Sequence, residues 1–481
     1  MPSFCLSQPN PCSTGLLRTG LKAAFATFLV LVGGSCAGDR EPARGVILIS
    51  LDTLRADHLG LYGYERPTSP FLDELATRGV VFEHAYAQFP STLTSHMSML
   101  TGLYPAEHGV YPPAGKLPPE IPLVAELLQA HGVRTAGHTE GGYVRGNFGF
   151  RRGFDEFDAR DRAHDDSTER TFRRGKRFLR SLEPADPFFL FLHTYSVHAP
   201  YEPPEPYRSQ FWPGEPPADA FLPVPTNLVA ADRDNRPQSA EAIDYYRALY
   251  DAEIRHLDDV LRDFFDELSA LGLDERTTVI ITSDHGEEFR EHGRFNHDQL
   301  YAEVIRVPFL VVGPDIAARR SARVVELVDV TPTILELAGL DLAELEAQAN
   351  DQDSVGSTMS GQSLARELGR DASYPKRLAY AEASSGRRAL VSSTEGESGD
   401  ALLHLLTFPG PFKGVTGNDE ELYVSSTDPA QLNDVAAELP MAVDQLRARL
   451  EAIQHAARAA ASQEDLDPEL RQQLEALGYL Q

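Results

Sequence analysis

The sequence predicts an α/β protein built on a large, mostly parallel sheet flanked by helices, followed by a smaller C-terminal α+β subdomain. Three observations carry this. Strand-like apolar runs alternate with helical patterns from Val46 to about Leu340. Several of those runs are apolar on both faces, as strands buried between two helix layers are. Between two of them lies a long stretch with apolar residues three and four apart, the period of an amphipathic helix.

The first strand is Val46 to Ser50 and the next clear one is Phe188 to Leu192. Prolines crowd residues 200–237, which read as an irregular connection. From Ser239 to Leu271 a helix is written by Ile243, Tyr246, Leu249, Tyr250, Ile254, Leu257, Leu261, Phe264, Phe265 and Leu268, with Ser239 as N-cap and Gly272 as stop. Its acids Asp258, Asp259, Asp263 and Asp266 read as a wet face. Strands at Thr277 to Thr282 and Arg306 to Val312 close this larger domain, 46–340. Residues 341–375, acidic and then rich in Ser and Gly, read as a linker or insertion. A small subdomain, 376–440, carries strand candidates at Leu378 to Ala381 and Ala401 to Leu406. The chain turns amphipathic from 429 and ends in a helical tail, 441–481.

With 481 residues the chain buries a core without staples. Its formal charge of -28 and the lack of a basic stripe exclude nucleic acid as a partner. A site that cleaves anions on such a chain needs local positive charge from a metal, Arg or His. All three cysteines, Cys5, Cys12 and Cys36, fall in the first 36 residues. Basic Arg18 and Lys22, the apolar run Ala23 to Val32, and Gly33-Gly34-Ser35-Cys36 form the pattern of a bacterial export signal ending at a lipoprotein box. The expectation is therefore export signal 1–36, linker 37–45, and a body held to a membrane through lipid on Cys36, in the periplasm or at the cell surface. A secreted soluble form is the alternative. Past Cys36 there is no cysteine for a disulfide, a thiolate metal site or a Cys nucleophile.

Chemistry-bearing residues follow the apolar runs. Asp52 comes directly after the first strand, and Asp284-His285-Gly286-Glu287 after the third. In an α/β sheet such residues gather at the carboxyl ends of the strands, where Asp52, Asp284 and His285 share one ion. The hydroxyl-rich segment Ser91-Thr92-Leu93-Thr94-Ser95-His96 then turns helical, so that a hydroxyl at its start gains from the helix dipole. His193 and His198 end another buried strand, and His292 and His297 follow the Asp-His pair. An imidazole there donates a proton or cradles an oxyanion.

These motifs resemble the sulfatase-like branch of the alkaline phosphatase superfamily over about residues 46–440. The matching stretches are Ser50 to Tyr64, Leu100-Thr101-Gly102, Gly153 to Phe157, His198 to Tyr201, Thr282 to Glu287, Glu291 to Gly293, Arg306 to Pro308, Asp329 to Thr333, and Glu421 to Tyr423 with Asp428-Pro429 and Leu432-Asn433. The resemblance implies an alkaline-phosphatase-like fold with its metal site at the sheet edge. It also implies a hydrolase of sulfuric or phosphoric esters.

Two departures refine it. Family sulfatases carry Cys or Ser, then Pro and Arg, where this chain has Thr92, Thr94 and His96. A threonine does not become formylglycine, so none is expected, and Thr92 is implied as the nucleophile, as in the superfamily's phosphodiesterase and phosphoethanolamine-transferase relatives. An Asp-Asp pair is replaced by Asp52-Thr53 and an Asn by His285, which moves the metal preference from calcium towards zinc or manganese. Where related phosphohydrolases place an acid for a second metal this chain has Ser196; one tight divalent metal is expected and a second is left open. On this reading Asp52, Asp284 and His285 hold the metal, and Thr92, His96, His198 and His297 are catalytic. His193, Ser95 and His292 bind substrate, a small-molecule, glycan or lipid anionic ester. Transfer to a lipid or glycan acceptor, or an inactive surface binding protein of the same fold, are the alternatives.

Overall fold

The computed structural model describes residues 44–159, 167–314, 316–351, 359–369, 378–394, 401–408 and 420–461. The export signal read at 1–36 lies outside them. The strands of the larger part are β1 (Gly45–Leu51), β2 (Gly79–Tyr86), β3 (Arg134–Thr139), β4 (Glu156–Ala159), β5 (Phe188–Thr194), β6 (Thr277–Thr282), β7 (Glu288–Phe289), β8 (Phe295–Asn296), β9 (Arg306–Val307), β10 (Phe309–Val312) and β11 (Arg319–Glu326). Among the described residues the main sheet runs β11-β2-β10-β6-β1-β5-β3-β4, with β9 also on β2 and the short β7-β8 pair separate. Its pairings β6-β1-β5-β3-β4 and β11-β2 are parallel. Only β9 and β10 run against their neighbours.

Strand alternation divides the core into two apolar layers. On β1, Ile47, Ile49 and Leu51 face one layer while Val46 and Leu48 face the other; on β5, Phe188, Leu190 and Leu192 oppose Phe189 and Phe191. The first layer is covered by the helix Ala240–Ala270 through Tyr246, Leu249, Tyr250, Leu257, Leu261 and Phe264. The second is covered by the helices Thr92–Thr101 and Val330–Leu337 through Leu93, Met97, Ile334 and Leu335. The apolar runs that announced these strands are thus buried on both sides, each side chain worth roughly 1.5–3 kcal/mol.

The long helix starts where expected: Ser239 Oγ accepts from the Ala242 N–H at 3.1 Å, and Gly272 follows it with φ +64°. Its acid row is not uniformly wet. Asp258 is buried and accepts the N–H groups of Phe71 and Leu72 at 2.8 and 2.9 Å, capping the helix Pro70–Ala76 from the side. The stretch expected as one strand from Arg306 to Val312 is divided at Pro308, which offers no N–H to a ladder. The proline-rich connection holds two short helices, Tyr207–Phe211 and Pro225–Arg233.

Residues Leu342–Asp351 are helical, and Leu364 is buried with its N–H on Thr333 Oγ1. Beyond them β12 (Leu378–Glu382), β13 (Arg388–Thr394), β14 (Ala401–Thr407) and β15 (Glu420–Val424) form an antiparallel meander. One face, with Ala379, Val391 and Leu402, packs on Leu300, Tyr301, Val304 and Ile305 of the larger part. The other, with Leu390, Leu405 and Leu422, is covered by Val443, Leu446 and Leu450 of the helix Pro440–Ala461. No helix among the described residues is long and apolar enough to cross a membrane.

Candidate active site

Three parallel neighbours deliver the site. Ser50 of β1 stands level with Thr282 of β6 and His193 of β5, so Asp52 and Asp284 each emerge two residues later, side by side at the carboxyl edge. The turn after β1 is clamped by Tyr250 of the long helix, whose hydroxyl donates to Thr53 O at 2.7 Å and accepts from Arg55 N–H at 2.9 Å. Thr53 takes a left-handed backbone there, φ +57°, a strained state for a β-branched residue that these contacts hold in place.

Asp52, Asp284 and His285 are fully buried, and one ligand atom from each lies within 4.8 Å of the others. Each has one atom committed and one left over. Asp52 Oδ2 receives the Thr92 hydroxyl and His193 Nε2, both at 3.2 Å, while its Oδ1 has no hydrogen bond. Asp284 Oδ1 accepts from the N–H groups of Thr53 and His285 at 3.2 and 3.0 Å, while its Oδ2 has none. His285 Nδ1 donates to Gly286 O at 3.0 Å, which places the proton on Nδ1 and leaves the Nε2 lone pair open. A buried set of two carboxylate oxygens and an imidazole nitrogen, none of them hydrogen-bonded, fits a divalent cation.

The electrostatics agree. Burial and the Asp284 charge push Asp52 well above the usual carboxylate range. Burial also opposes ionisation of Asp284, yet His285, His96 and His193 hold it below that range. Two carboxylates this close and this dry bind a shared proton or a cation. Burial lowers His285 to about 4, so the ring is neutral at pH 7, as a metal ligand must be.

Thr92 is the first residue of the helix Thr92–Thr101 and nearly buried. Neither it nor Ser91 caps that helix through its side chain, so the Thr92 hydroxyl is directed at Asp52 instead. Opposite stands a second pair. Glu287 Oε1 lies 3.1 Å from His297 Nδ1 and Glu287 Oε2 accepts from the Tyr201 hydroxyl at 3.0 Å. Burial disfavours the His297 cation, but the Glu287 charge outweighs it and raises His297 above the usual imidazole value. The His297 ring is 4.3 Å from His285 and 5.7 Å from His198, centroid to centroid. A line of rings continues from His198 through Tyr195 and His193 to His96.

Residues 44–340, more than half of the chain, match the family model described as Sulfatase. The chain belongs to the sulfatase family. It is 26% identical to an arylsulfatase of Clostridium perfringens over 62% of this chain and 76% of that one. It is 24% identical to the arylsulfatase K of Gallus gallus over 87% and 84%. Among solved structures it resembles BT4656, captured with its substrate D-glucosamine-2-N,6-O-disulfate, with a TM-score of 0.68 and 18% identity over 88% of this chain and 99% of that one. It also resembles the phosphonate monoester hydrolase of Agrobacterium radiobacter, TM-score 0.65 and 19% identity over 86% and 96%. At such identities the likeness is one of fold. This sulfatase-family chain is thereby an ester hydrolase by descent, in a family whose enzymes depend on metal.

Within the sulfatase fold, most residues singled out from the sequence converge. Asp52, Asp284, His285, Thr92 and His193 form one group, with His198 and His297 facing it. His96 is present as a brace: it is fully buried, its Nδ1 donates to Thr92 O at 2.8 Å and its Nε2 accepts from Ser50 at 2.9 Å. Ser95 is likewise a tie, its hydroxyl donating to Asp284 O at 2.7 Å. His292 is not brought to the group. Its two nitrogens meet Glu303 at 2.6 Å and Gln431 O at 3.0 Å, and its ring stacks on Tyr301. Glu287, Tyr195 and Tyr201 were not singled out from the sequence. Glu287 carried a usable signal, a carboxylate in the same motif as the metal ligands and ten residues before His297; the tyrosines carried none.

Proposed function

We propose that this sulfatase-family hydrolase is a single-metal enzyme that cleaves phosphoric or sulfuric esters with Thr92 as nucleophile. What carries the reading is the Thr92 hydroxyl 3.2 Å from Asp52 Oδ2, inside a buried trio with three unpartnered donor atoms. A divalent ion held by Asp52, Asp284 and His285 would lower the pKa of the Thr92 hydroxyl and neutralise charge building on the transferred group.

The chain's own residues supply the rest. The N–H groups at the start of the helix Thr92–Thr101 favour an oxyanion at Thr92. Thr92 Oγ1 passes its proton to Asp52 Oδ2 and bonds to phosphorus or sulfur as the bond to the leaving oxygen breaks, and His297, whose cation Glu287 favours, protonates that oxygen. Water, giving its proton to His297, then attacks phosphorus or sulfur and breaks the bond to Thr92 Oγ1, which recovers its proton from Asp52. His198, beside His297, and His193, on Asp52, orient the anion and the nucleophile. Burial and the neighbouring His96 keep His193 neutral, so it serves as a hydrogen-bond donor to Asp52.

The absence of cysteine at position 92 supports a mechanism without formylglycine, and Thr92 with an Asp-His metal pair supports phosphoesters over sulfates. We further propose that the protein is exported and lipid-anchored through Cys36. The test is hydrolysis of aryl sulfate, aryl phosphate and aryl phosphonate esters with one common leaving group, beside Thr92→Ala. Faster phospho- or phosphonate-ester cleavage that vanishes in the variant is expected; unchanged turnover in Thr92→Ala would remove the nucleophile.

A further inference from the structure

The metal-binding loop is braced by a short helix whose own start is capped from the C-terminal subdomain. Gly286, next to His285, donates its N–H to Val304 O at 2.6 Å. It has no room for a side chain, because a Cβ would run into Glu303 O. Its carbonyl in turn fixes the His285 tautomer. The peptide that orients His285 is therefore pressed onto the helix Ala302–Ile305.

That helix begins at Tyr301, whose side chain makes no cap. The cap comes from Gln431, 129 residues on: its Oε1 accepts the Ala302 N–H at 2.6 Å. Gln431 is buried to 1% exposure and holds a left-handed backbone, φ +53°, unusual for its residue type. Its Nε2 donates to His404 Nδ1 at 2.5 Å and its carbonyl accepts from His292. His292 completes the clamp by bonding Glu303 and stacking on Tyr301 at 3.5 Å. The Gln431 side chain thus ties this one helix to His404 of β14 and, through a second Nε2 bond of 3.3 Å, to Ser425 just after β15.

We propose that Gln431 is a positioning residue for the metal centre: by capping the helix Ala302–Ile305 it holds Val304 O under Gly286 and thereby sets His285, making the C-terminal subdomain part of the metal site. Groups that orient a ligand from behind typically govern metal affinity by about 10–100-fold, and Gln431, one helix removed, belongs at the low end of that range. The inference rests on the assignment of Asp52, Asp284 and His285 as ligands.

The test is zinc affinity of the full chain, measured by competition with a chromophoric chelator, together with thermal unfolding of the metal-free protein. Gln431→Met removes the acceptor at similar volume and is expected to weaken zinc about tenfold. Gln431→Glu keeps an oxygen for the Ala302 N–H, with His404 turning donor, and is expected to restore most of the affinity. Val443→Ala, which thins the packing on the far face of the C-terminal sheet, provides a destabilised control with zinc affinity unchanged. Unchanged affinity in Gln431→Met, or equal losses in Gln431→Met and Val443→Ala, would overturn the proposal. Asp284→Ala separates the two levels: if it binds zinc as wild type does, the ligand assignment fails, and if only Gln431→Met is silent, the positioning role fails.

Discussion

Replacing Glu287 by Gln removes one charge and little else, which isolates its effect on His297. The two groups face each other at 3.1 Å, with the Glu287 side chain fully buried and the His297 side chain 22% exposed. At an effective dielectric of about 20, two unit charges at this distance attract by roughly 5 kcal/mol. Solvent reaching His297 screens part of that, leaving about 2–3 kcal/mol of attraction that favours the imidazolium. Without that charge, only the more weakly acting carboxylates of Asp298 and Asp284 oppose burial, and His297 falls from its raised value. A general acid works while protonated, so activity is lost as pH rises through its folded-state pKa. The alkaline limb of kcat/KM in Glu287→Gln is therefore expected at lower pH than in wild type. Above the new limb each pH unit costs about tenfold, up to the 10²–10⁴-fold or so that a general acid supplies. The assay is a pH-rate profile on two aryl esters, one with a poor leaving group and one with 4-nitrophenol, which departs without a proton. A shift seen with the first ester and absent with the second is expected. Superimposable profiles of wild type and variant, or equal shifts with both esters, would refute the role of His297 as proton donor.

Other perturbations address separate parts of the site. Thr92→Ala is expected to lower kcat by at least about 10³-fold, while Thr92→Ser keeps a hydroxyl on Asp52 and retains part of the rate; single-turnover kinetics distinguish loss of attack from loss of binding. Zinc at about 100 times its dissociation constant is expected to stabilise the wild type by about 2.7 kcal/mol in thermal unfolding and Asp284→Ala hardly at all. Burial raises Asp258 from 3.8 to about 6, so the native state holds its proton more tightly than the unfolded chain does. Stability from this group is full below about pH 4 and declines by about 3 kcal/mol as pH rises to about 6. Asp258→Asn is expected to remove that decline, read from urea unfolding at about pH 4.5 and 7, and an unchanged pH dependence would show that Asp258 is not the group responsible.

What was legible in the sequence, and what was not, follows from how each element earns its place. β1, β5 and β6 are flanked by helices on both sides, so each holds an unbroken apolar run, Val46 to Ile49, Phe188 to Leu192 and Val279 to Ile281, and the strands announce themselves. β3 is as buried, yet it reads Arg-Thr-Ala-Gly-His-Thr, because its polar groups are sealed by packing rather than faced to water. β11 opens with Arg319 and Arg320 and is equally silent. Asp258 read as a surface acid because a helical period reports a face, not the orphan N–H groups of a neighbouring helix start. The convergence of Asp52, Asp284 and His285 was legible because each follows a visible strand. His292 was misplaced because its true partners, Glu303 and Gln431, are contributed by the short helix and by a residue 139 positions away. Hydrogen bonds across subdomains leave no local trace in a chain.

Register is what turns separate stretches into one site. Val279 and Ile281 of β6 face the long helix while Ile280 faces the helix of Thr92, and this alternation fixes β6 against β1 so that Thr282 stands beside Ser50. A slip by one residue would put Val279 and Ile281 where Ile280 belongs and carry Asp284 to the opposite face of the sheet edge. Asp284 is then no longer beside Asp52, and the Thr53 N–H and Ser95 hydroxyl that now hold its carboxylate and carbonyl lose their acceptors. The same apolar contacts that stabilise the core therefore also set the spacing of Asp52 and Asp284. A core substitution at Ile280 that altered this register would pull the carboxylates of Asp52 and Asp284 apart without touching either, so the proposed metal affinity, once measured, reports on packing as well as on chemistry.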